Sequence, residues 1–513
     1  MMQLTKPLKP IMFVGTASDV GKSVLATAFC RIFLQDGLAP APFKGQNMSL
    51  NSYATPEGHE IGRAQAVQAE AAGINCHTDM NPVLLKPTSD IGSQVILNGR
   101  VYGNMSAAAY FSAGNREVLF NEVKKAFHRL RSRYQPIVME GAGSISELNL
   151  KALDITNLSM AIEASAATYL VADIDKGGVF ASLYGTISLL SPEEKACIKG
   201  LIINKFRGDP LLFASGKKLI EELCEIPVVG IIPFYHDISI EEEDSVSLRK
   251  KTSDPVAGKI NIAVILLDHI SNFTDFDRLE QHSRINLYYT STATAIAAAD
   301  IIILPGTKNT IDDLISLRKK KLDVAIRLAV KSGKTVIGIC GGFQMMGETL
   351  SDPYYVERLN QANILNPVTG IGILPVHTVF NPIKLSRQCY FKFRNQSELA
   401  EGYEIHMGET SSSSHNPVNE FTDGSFDGYF LNNQCWGSYI HGILDNDSII
   451  ESIIGSILNG LRDQKTNNAN QEVEKPIIPK QTYKQFKNEQ YDKLAAHIRQ
   501  HIDIQKIYLD LTN

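Results

Sequence analysis

Two α/β domains, each built on a mostly parallel sheet, are the fold this chain predicts. Short Val-, Ile- and Leu-rich runs alternate with helix-length patterns before about residue 236 and again after about residue 258. Between the two series, "HDISIEEEDSVSLRKKTSDPVAG" loses periodicity and becomes charged, as a linker over residues 236–258 should. The length agrees, because 513 residues are more than one ordinary core holds.

In the first domain, residues 1–235, the runs "PIMFVG", "QPIVMEGAG", "ATYLVADID", "GLIINKF" and "VVGIIPF" read as buried parallel strands feeding functional loops. "KSVLATAFCRIFLQDG" and "NREVLFNEVKKAFHRLRSRY" read as helices between them. The second domain, residues 259–460, repeats the alternation with "KINIAVILL", "ADIIILPGTKNT", "KTVIGICGG", "GYEIHMGET" and "WGSYIHGIL". Residues 461–513 open on the polar "RDQKTNNANQEVEKPIIPKQ", a flexible link, and close on a short helix around "YDKLAAHIRQHI".

Composition narrows the partners. Apolar residues make up 44% of the chain, charged residues 20%, and the net charge is -5, as in a soluble globular protein. There is no concentrated basic stripe, so a nucleic-acid partner is not expected. The longest apolar runs, "IIILP" and "IAVILL", are strand-length, and the first residues lack a signal-peptide core. The expectation is a cytoplasmic protein with no membrane partner. Seven cysteines without CxxC spacing argue against a disulfide framework or a structural zinc site.

"GTASDVGKS", residues 15–23, follows a strand and opens a helix, which is the setting of a phosphate cradle. Backbone N–H groups of the turn would face the phosphates, Lys22 would neutralise charge during transfer, and the Ser23 hydroxyl would ligate Mg²⁺. A tight turn with a surface lysine is the plainer reading, and the flanking elements disfavour it. Gly15 and Gly21 enclose five residues, where the usual phosphate loop has four. The wording GTxxDxGKS resembles the dethiobiotin synthetase branch of P-loop proteins, which use ATP to activate a carboxylate. That resemblance makes Gly15, Thr16, Asp19, Gly21, Lys22 and Ser23 the nucleotide-binding set. It also implies Glu140 of "IVMEGAGS" as an Mg²⁺ ligand, Asn204 of "LIINKF" as a reader of the adenine edge, and Lys44 of "APFKGQN" as a second phosphate-neutralising lysine.

"TVIGICGGFQMMG" sets Cys340 at a strand end, between Gly338 and Gly341, before a helix. This is a nucleophile elbow: small neighbours permit a sharp turn, and the helix N-terminus favours the thiolate. The other six cysteines lack such a setting and read as packing residues. His441, in the strand–His–Gly setting of "GSYIHGIL", is the candidate base. Backbone N–H groups around Pro305-Gly306-Thr307, with that of Gly341, are candidates for an oxyanion hole.

GxCxGxQ with a downstream histidine resembles the class I glutamine amidotransferases, which release ammonia from glutamine through a thioester. The resemblance adds Gln344 to the oxyanion and glutamine-binding set of Gly306 and Gly341. Members commonly carry His-x-Glu, but Ile443 stands two residues after His441, leaving Glu404 as the candidate to orient the imidazole. An amidotransferase domain without that acid, behind a dethiobiotin synthetase-like domain, is the arrangement of the cobyric and cobyrinic acid amidating synthases. "PFKGQNMSLNS", "EIGRAQAVQAEAAG", "DMNPVLLKPTSDIGSQVILNG", "EGAGSISELNL", "VADIDKGGVFASLYGT", "INKFRGD", "LPGTKNT" and "GYEIHMGET" are similar to the cobyric acid synthase family and run in order over residues 11–445. "ISEL" at 145–148 departs slightly from the family's wording.

The family implies ATP- and glutamine-dependent amidation of the b, d, e and g carboxylates of adenosylcobyrinic acid a,c-diamide, giving adenosylcobyric acid. The partners are then a corrinoid, L-glutamine and ATP, with Mg²⁺. Alternatives are a cobyrinic acid a,c-diamide synthase and a non-ligase P-loop switch ATPase, and the second leaves Cys340 unexplained. Lys86, Asp90, Gln94, Asp173, Asp175 and Lys176 are candidates to hold the corrinoid's arms or order the ATP site, or else solvated strand-end residues.

Overall fold

Every apolar run of the first series becomes a strand of one sheet. Its order is Val228–Pro233, Ile198–Phe206, Ala167–Asp173, Ile11–Gly15, Ile137–Glu140 and Ala41–Phe43, with all neighbours parallel. Ile11–Gly15 is buried throughout, as a strand covered on both faces must be, and the helices Lys22–Gln35 and Ala113–Arg131 follow the expected segments. Register brings Phe13 beside Glu140, Gly15 beside Val171, and Asp173 beside Asn204. The candidate residues therefore collect at the carboxyl edge of this sheet, where ligand crevices of open α/β sheets lie.

The computed structural model describes residues 7–89, 92–241, 243, 248, 251, 254–357, 367–463 and 481–512. They form two compact units: residues 1–49, 60–241 and 484–513, and residues 50–59 and 242–483. The chain thus does not pass from one domain to the next in the simple succession its composition suggests.

The expected terminal helix is present as Tyr483–His501, but its place in the fold departs from expectation. Helices Tyr483–His501 and Ile504–Thr512 are part of the first unit's core, burying Leu494, Ala495, Ile498, Ile502, Ile507 and Leu511 with residues of the Lys22–Gln35 helix. Asp503 N donates to the Val229 carbonyl at 2.8 Å, and the Tyr169 hydroxyl to Asp510 at 2.9 Å. Residues 464–480, the centre of the expected link, lie outside the described residues. The first unit also carries a smaller sheet of Gln46–Met48, Val83–Ser89, Gly92–Leu97 and Arg100–Ser106.

In the second unit the main sheet runs Ile285–Thr290, Ile260–Ile265, Ile301–Leu304, Thr335–Ile339, Cys435–Ser438 and Tyr429–Asn432. Only the last pairing is antiparallel. "GYEIHMGET" is not part of it, contrary to the expected alternation. It lies in Leu399–Ser411, antiparallel to His377–Phe393 in a second sheet, because a short turn between two long strands permits only hairpin pairing. Among the described residues, no helix is long and apolar enough to cross a membrane.

Candidate active-site residues

The helix Lys22–Gln35 starts from Gly21, whose φ of 100° is left-handed and whose absent Cβ would collide with Asn204 Nδ2. Asn204 Nδ2 donates to the Val20 carbonyl at 2.8 Å, so this nitrogen braces the loop. Lys22 Nζ donates to the carbonyls of Ala17 at 3.1 Å and Gly143 at 2.9 Å. Thr16 N is tied to the Val171 carbonyl at 3.0 Å, and the Asp19 carbonyl accepts from Lys205 Nζ at 2.5 Å.

Glu140 gathers the rest. Ser23 Oγ and Lys44 Nζ reach its Oε1 at 2.8 and 2.9 Å, and Gln68 Nε2 reaches Oε2 at 2.8 Å. Burial works against the charge of Glu140, but Lys44 and these hydrogen bonds outweigh it and hold the carboxyl below its ordinary range. Lys44, read from the sequence as a second phosphate-neutralising lysine, is buried and pairs with Glu140 at 2.9 Å. No group of three or more His, Cys, Asp or Glu suited to a metal occurs among the described residues. The Ser23 hydroxyl and Glu140 carboxylate still fit Mg²⁺, which takes one or two protein oxygens and completes its shell from phosphates and water.

The corrinoid candidates divide. Lys86 is buried in an ion pair with Glu60 at 2.7 Å, and Gln94 is buried in the small sheet. Asp173 pairs with Lys205 at 3.0 Å and Asp175 with Arg207 at 2.6 Å, while Lys176 is exposed. Asp90 lies outside the described residues.

In the second unit, Cys340 holds φ 50° and ψ −109°, a conformation most side chains avoid, at the head of the helix Gly341–Met346. Its N–H is fixed on the Ser438 carbonyl at 2.8 Å, and its Sγ faces the Ile405 carbonyl at 3.7 Å. The Cys340 sulfur lies within electrostatic reach of His441, whose Nδ1 meets Asp275 Oδ2 at 2.7 Å. The other carboxylate oxygen accepts from Gly442 N at 2.9 Å. Both side chains are at most 2% exposed. Burial disfavours an imidazolium here, yet the Asp275 carboxylate and the Cys340 sulfur outweigh it and raise the His441 pKa to about 10. The arrangement is a cysteine–histidine–aspartate triad.

Asp275, and not Glu404, hydrogen-bonds the His441 imidazole. Tyr403 pairs with His441 through reciprocal backbone hydrogen bonds of 3.0 and 2.8 Å, and its ring lies over the imidazole at 5.3 Å. Side chains alternate along a strand, so Glu404 points to the other face and pairs with Arg387 and His406. Asp275 went unread because no spacing rule links it to His441. Its one sequence signal is its place in the loop after the strand Ile260–Ile265, at a sheet edge where such loops carry function.

The oxyanion candidates converge. A Cβ on Gly306 would lie 2.9 Å from His441 Cε1, and one on Gly341 would lie 3.1 Å from Thr307 N. The 305–309 loop is held by Ser271 N on the Gly306 carbonyl at 2.9 Å, and by Thr307 Oγ1 on Asp313, which also binds His269 Nδ1 at 2.7 Å. Gln344 is buried, accepting from Thr310 Oγ1 at 2.9 Å and donating to the Tyr439 hydroxyl at 3.3 Å. Glu357, another residue the sequence did not single out, accepts from Thr310 N at 2.5 Å.

Residues 11–248 match the CobQ/CobB/MinD/ParA nucleotide binding domain family, and residues 261–449 match the CobB/CobQ-like glutamine amidotransferase domain family. The chain is 54% identical to a cobyric acid synthase of Bacteroides fragilis over 513 residues, covering 99% of this chain and 100% of that one. It is 56% identical to a cobyric acid synthase of Parabacteroides distasonis, with 99% of each chain covered. A cobyric acid synthase of Syntrophobacter fumaroxidans is 45% identical, with 97% of this chain and 98% of that one covered.

Proposed function

Because this chain belongs to the cobyric acid synthase family, we propose that it converts adenosylcobyrinic acid a,c-diamide to adenosylcobyric acid, amidating the b, d, e and g carboxylates with glutamine nitrogen and ATP. It is a glutamine-hydrolysing, amide-forming ligase of cobalamin biosynthesis, and neither alternative reading gains support from its relatives. The observation that carries the chemistry is the buried Cys340–His441–Asp275 triad in the same chain as a Lys22–Ser23–Glu140 phosphate loop.

In the second unit, the Cys340 thiolate attacks the glutamine carboxamide carbon. The oxyanion meets backbone N–H groups around Gly306 and Gly341, and Gln344 helps hold the substrate. His441 gives its proton to the departing ammonia, leaving a glutamyl thioester, and then takes one from the water that hydrolyses it. Asp275 keeps the ring oriented throughout.

In the first unit, a corrinoid carboxylate attacks the γ-phosphorus of ATP and ADP departs. Lys22 leaves its two carbonyl partners to meet phosphate charge, and Asn204 and Lys205 brace the loop from behind, with Asn204 also reading the adenine edge. Ser23 and Glu140 would hold Mg²⁺, which neutralises phosphate charge when bound. Ammonia then attacks the acyl phosphate and displaces inorganic phosphate.

Mass spectrometry of the product formed from the a,c-diamide, ATP and amide-¹⁵N glutamine tests this reading. Four labelled amides are expected; a product without new amides contradicts it.

A further inference from the structure

Residues 50–59 interrupt the first unit's sequence yet fold with the second. Asn51 Oδ1 accepts from Phe273 N at 3.3 Å, and Ser52 N donates to Asn272 Oδ1 at 2.9 Å. Asn272 sits in the left-handed region at φ 52°, and its carbonyl accepts from Asp275 N at 3.0 Å. The turn that presents Asp275 is therefore gripped by Asn51 and Ser52.

The next two residues hold the other side of the triad. The Tyr53 ring lies 4.5 Å from that of Tyr403, which lies in turn over His441 at 5.3 Å and 25°. Tyr53 and Ala54 pack with Tyr403 and Ile405, whose carbonyl faces the Cys340 sulfur. Ala54 is anchored by Gln388 Nε2 on its carbonyl at 3.0 Å. Four consecutive residues thus reach the immediate supports of Asp275, His441 and Cys340, and none of those four lies in the stretch that matches the amidotransferase family.

We propose that residues 50–59 are a strap that positions the glutaminase triad, with Asn51 and Tyr53 as its positioning residues. The amidotransferase stretch is then incomplete by itself, and its turnover depends on a segment drawn from the ATP-binding half of the sequence. This rests on the glutaminase reading above. Physically, loosening the Asp275 turn and the Tyr403 ring lets the imidazole rotate, which weakens the imidazolium that stabilises the thiolate.

The test uses the full chain carrying Tyr53→Ala, Tyr53→Phe or Asn51→Ala. Two readouts are taken: glutamine hydrolysis, and the pH profile of Cys340 alkylation by iodoacetamide followed by peptide mass spectrometry. Tyr53→Ala is expected to lower kcat roughly 10- to 100-fold, with KM changed by less than about threefold. The alkylation profile is expected to move to higher pH. Asn51→Ala moves both in the same direction, and Tyr53→Phe, which keeps the ring, restores parental behaviour. If Tyr53→Ala does not fold, Asn51→Ala decides. Alanine variants with parental kcat and an unmoved alkylation profile overturn the strap, as does a Tyr53→Phe variant as impaired as Tyr53→Ala. A parent chain that hydrolyses no glutamine would instead break the functional reading, and the alkylation profile would still decide on the strap.

Discussion

The turn before Lys22 and the turn at Cys340 both join a buried parallel strand to a helix, yet they handle charge in opposite ways. In the first, left-handed positions belong to Asp19 and Gly21, and the chemical group, Lys22, is a cation resting on the carbonyls of Ala17 in its own loop and of Gly143. In the second, the left-handed position belongs to the nucleophile itself, and beside it stands a buried imidazole that Asp275 holds. A phosphate loop can wait for its charge, because the substrate brings it. A thiol must be ionised before glutamine arrives, so its counter-charge has to be built into the fold.

That contrast can be broken most severely at the nucleophile. Cys340→Ser is expected to lower glutamine hydrolysis by roughly 10⁴-fold or more, since a hydroxyl does not ionise under the same field; steady-state glutamate release measures it. Asp275→Asn comes next, with a loss of roughly 10³- to 10⁴-fold, because an amide favours the wrong imidazole tautomer. Glutamine kinetics at fixed pH check this.

The charge balance has a pH signature. The His441 pKa is raised to about 10, so the pair's contribution to stability is complete below about pH 6.5 and is lost as pH rises through about 10. Denaturant unfolding between pH 7 and 10 should show this loss in the parent, and Asp275→Asn should shift it to lower pH. An unshifted profile would assign the stabilisation elsewhere.

Two smaller effects sharpen the comparison. Leu494→Ala, on the C-terminal helix within the first unit's core, should cost about 2–5 kcal/mol in unfolding experiments without altering the alkylation profile of Cys340. Glu404→Gln, which leaves the Asp275–His441 bond intact, should reduce glutamine kcat by less than about tenfold.

Legibility in the sequence followed the range of the interaction. The phosphate loop, the elbow and their strands are local patterns, because a glycine turn between a buried strand and a helix must be written in consecutive residues. Asp275, the strap at 50–59 and the packing of the terminal helices were not legible. Each works through a partner far away in sequence, and neither periodicity nor spacing encodes which distant surface an element meets. Leu494 and Ile498 show the limit well: their four-residue spacing marks a helix face, but not that it packs on the helix Lys22–Gln35. Lys44 shows the same limit, since its residue type is legible but its pairing with Glu140, far away in sequence, is not.

The most direct measurement is amidation of the a,c-diamide by a Cys340→Ala chain, supplied in parallel with glutamine and with ammonium. One site making ammonia and another using it predicts no amidation from glutamine and restored amidation from ammonium, with Lys22→Ala inactive from both sources. Amidation from glutamine by the cysteine variant, or a folded cysteine variant that ammonium does not restore, would contradict the division.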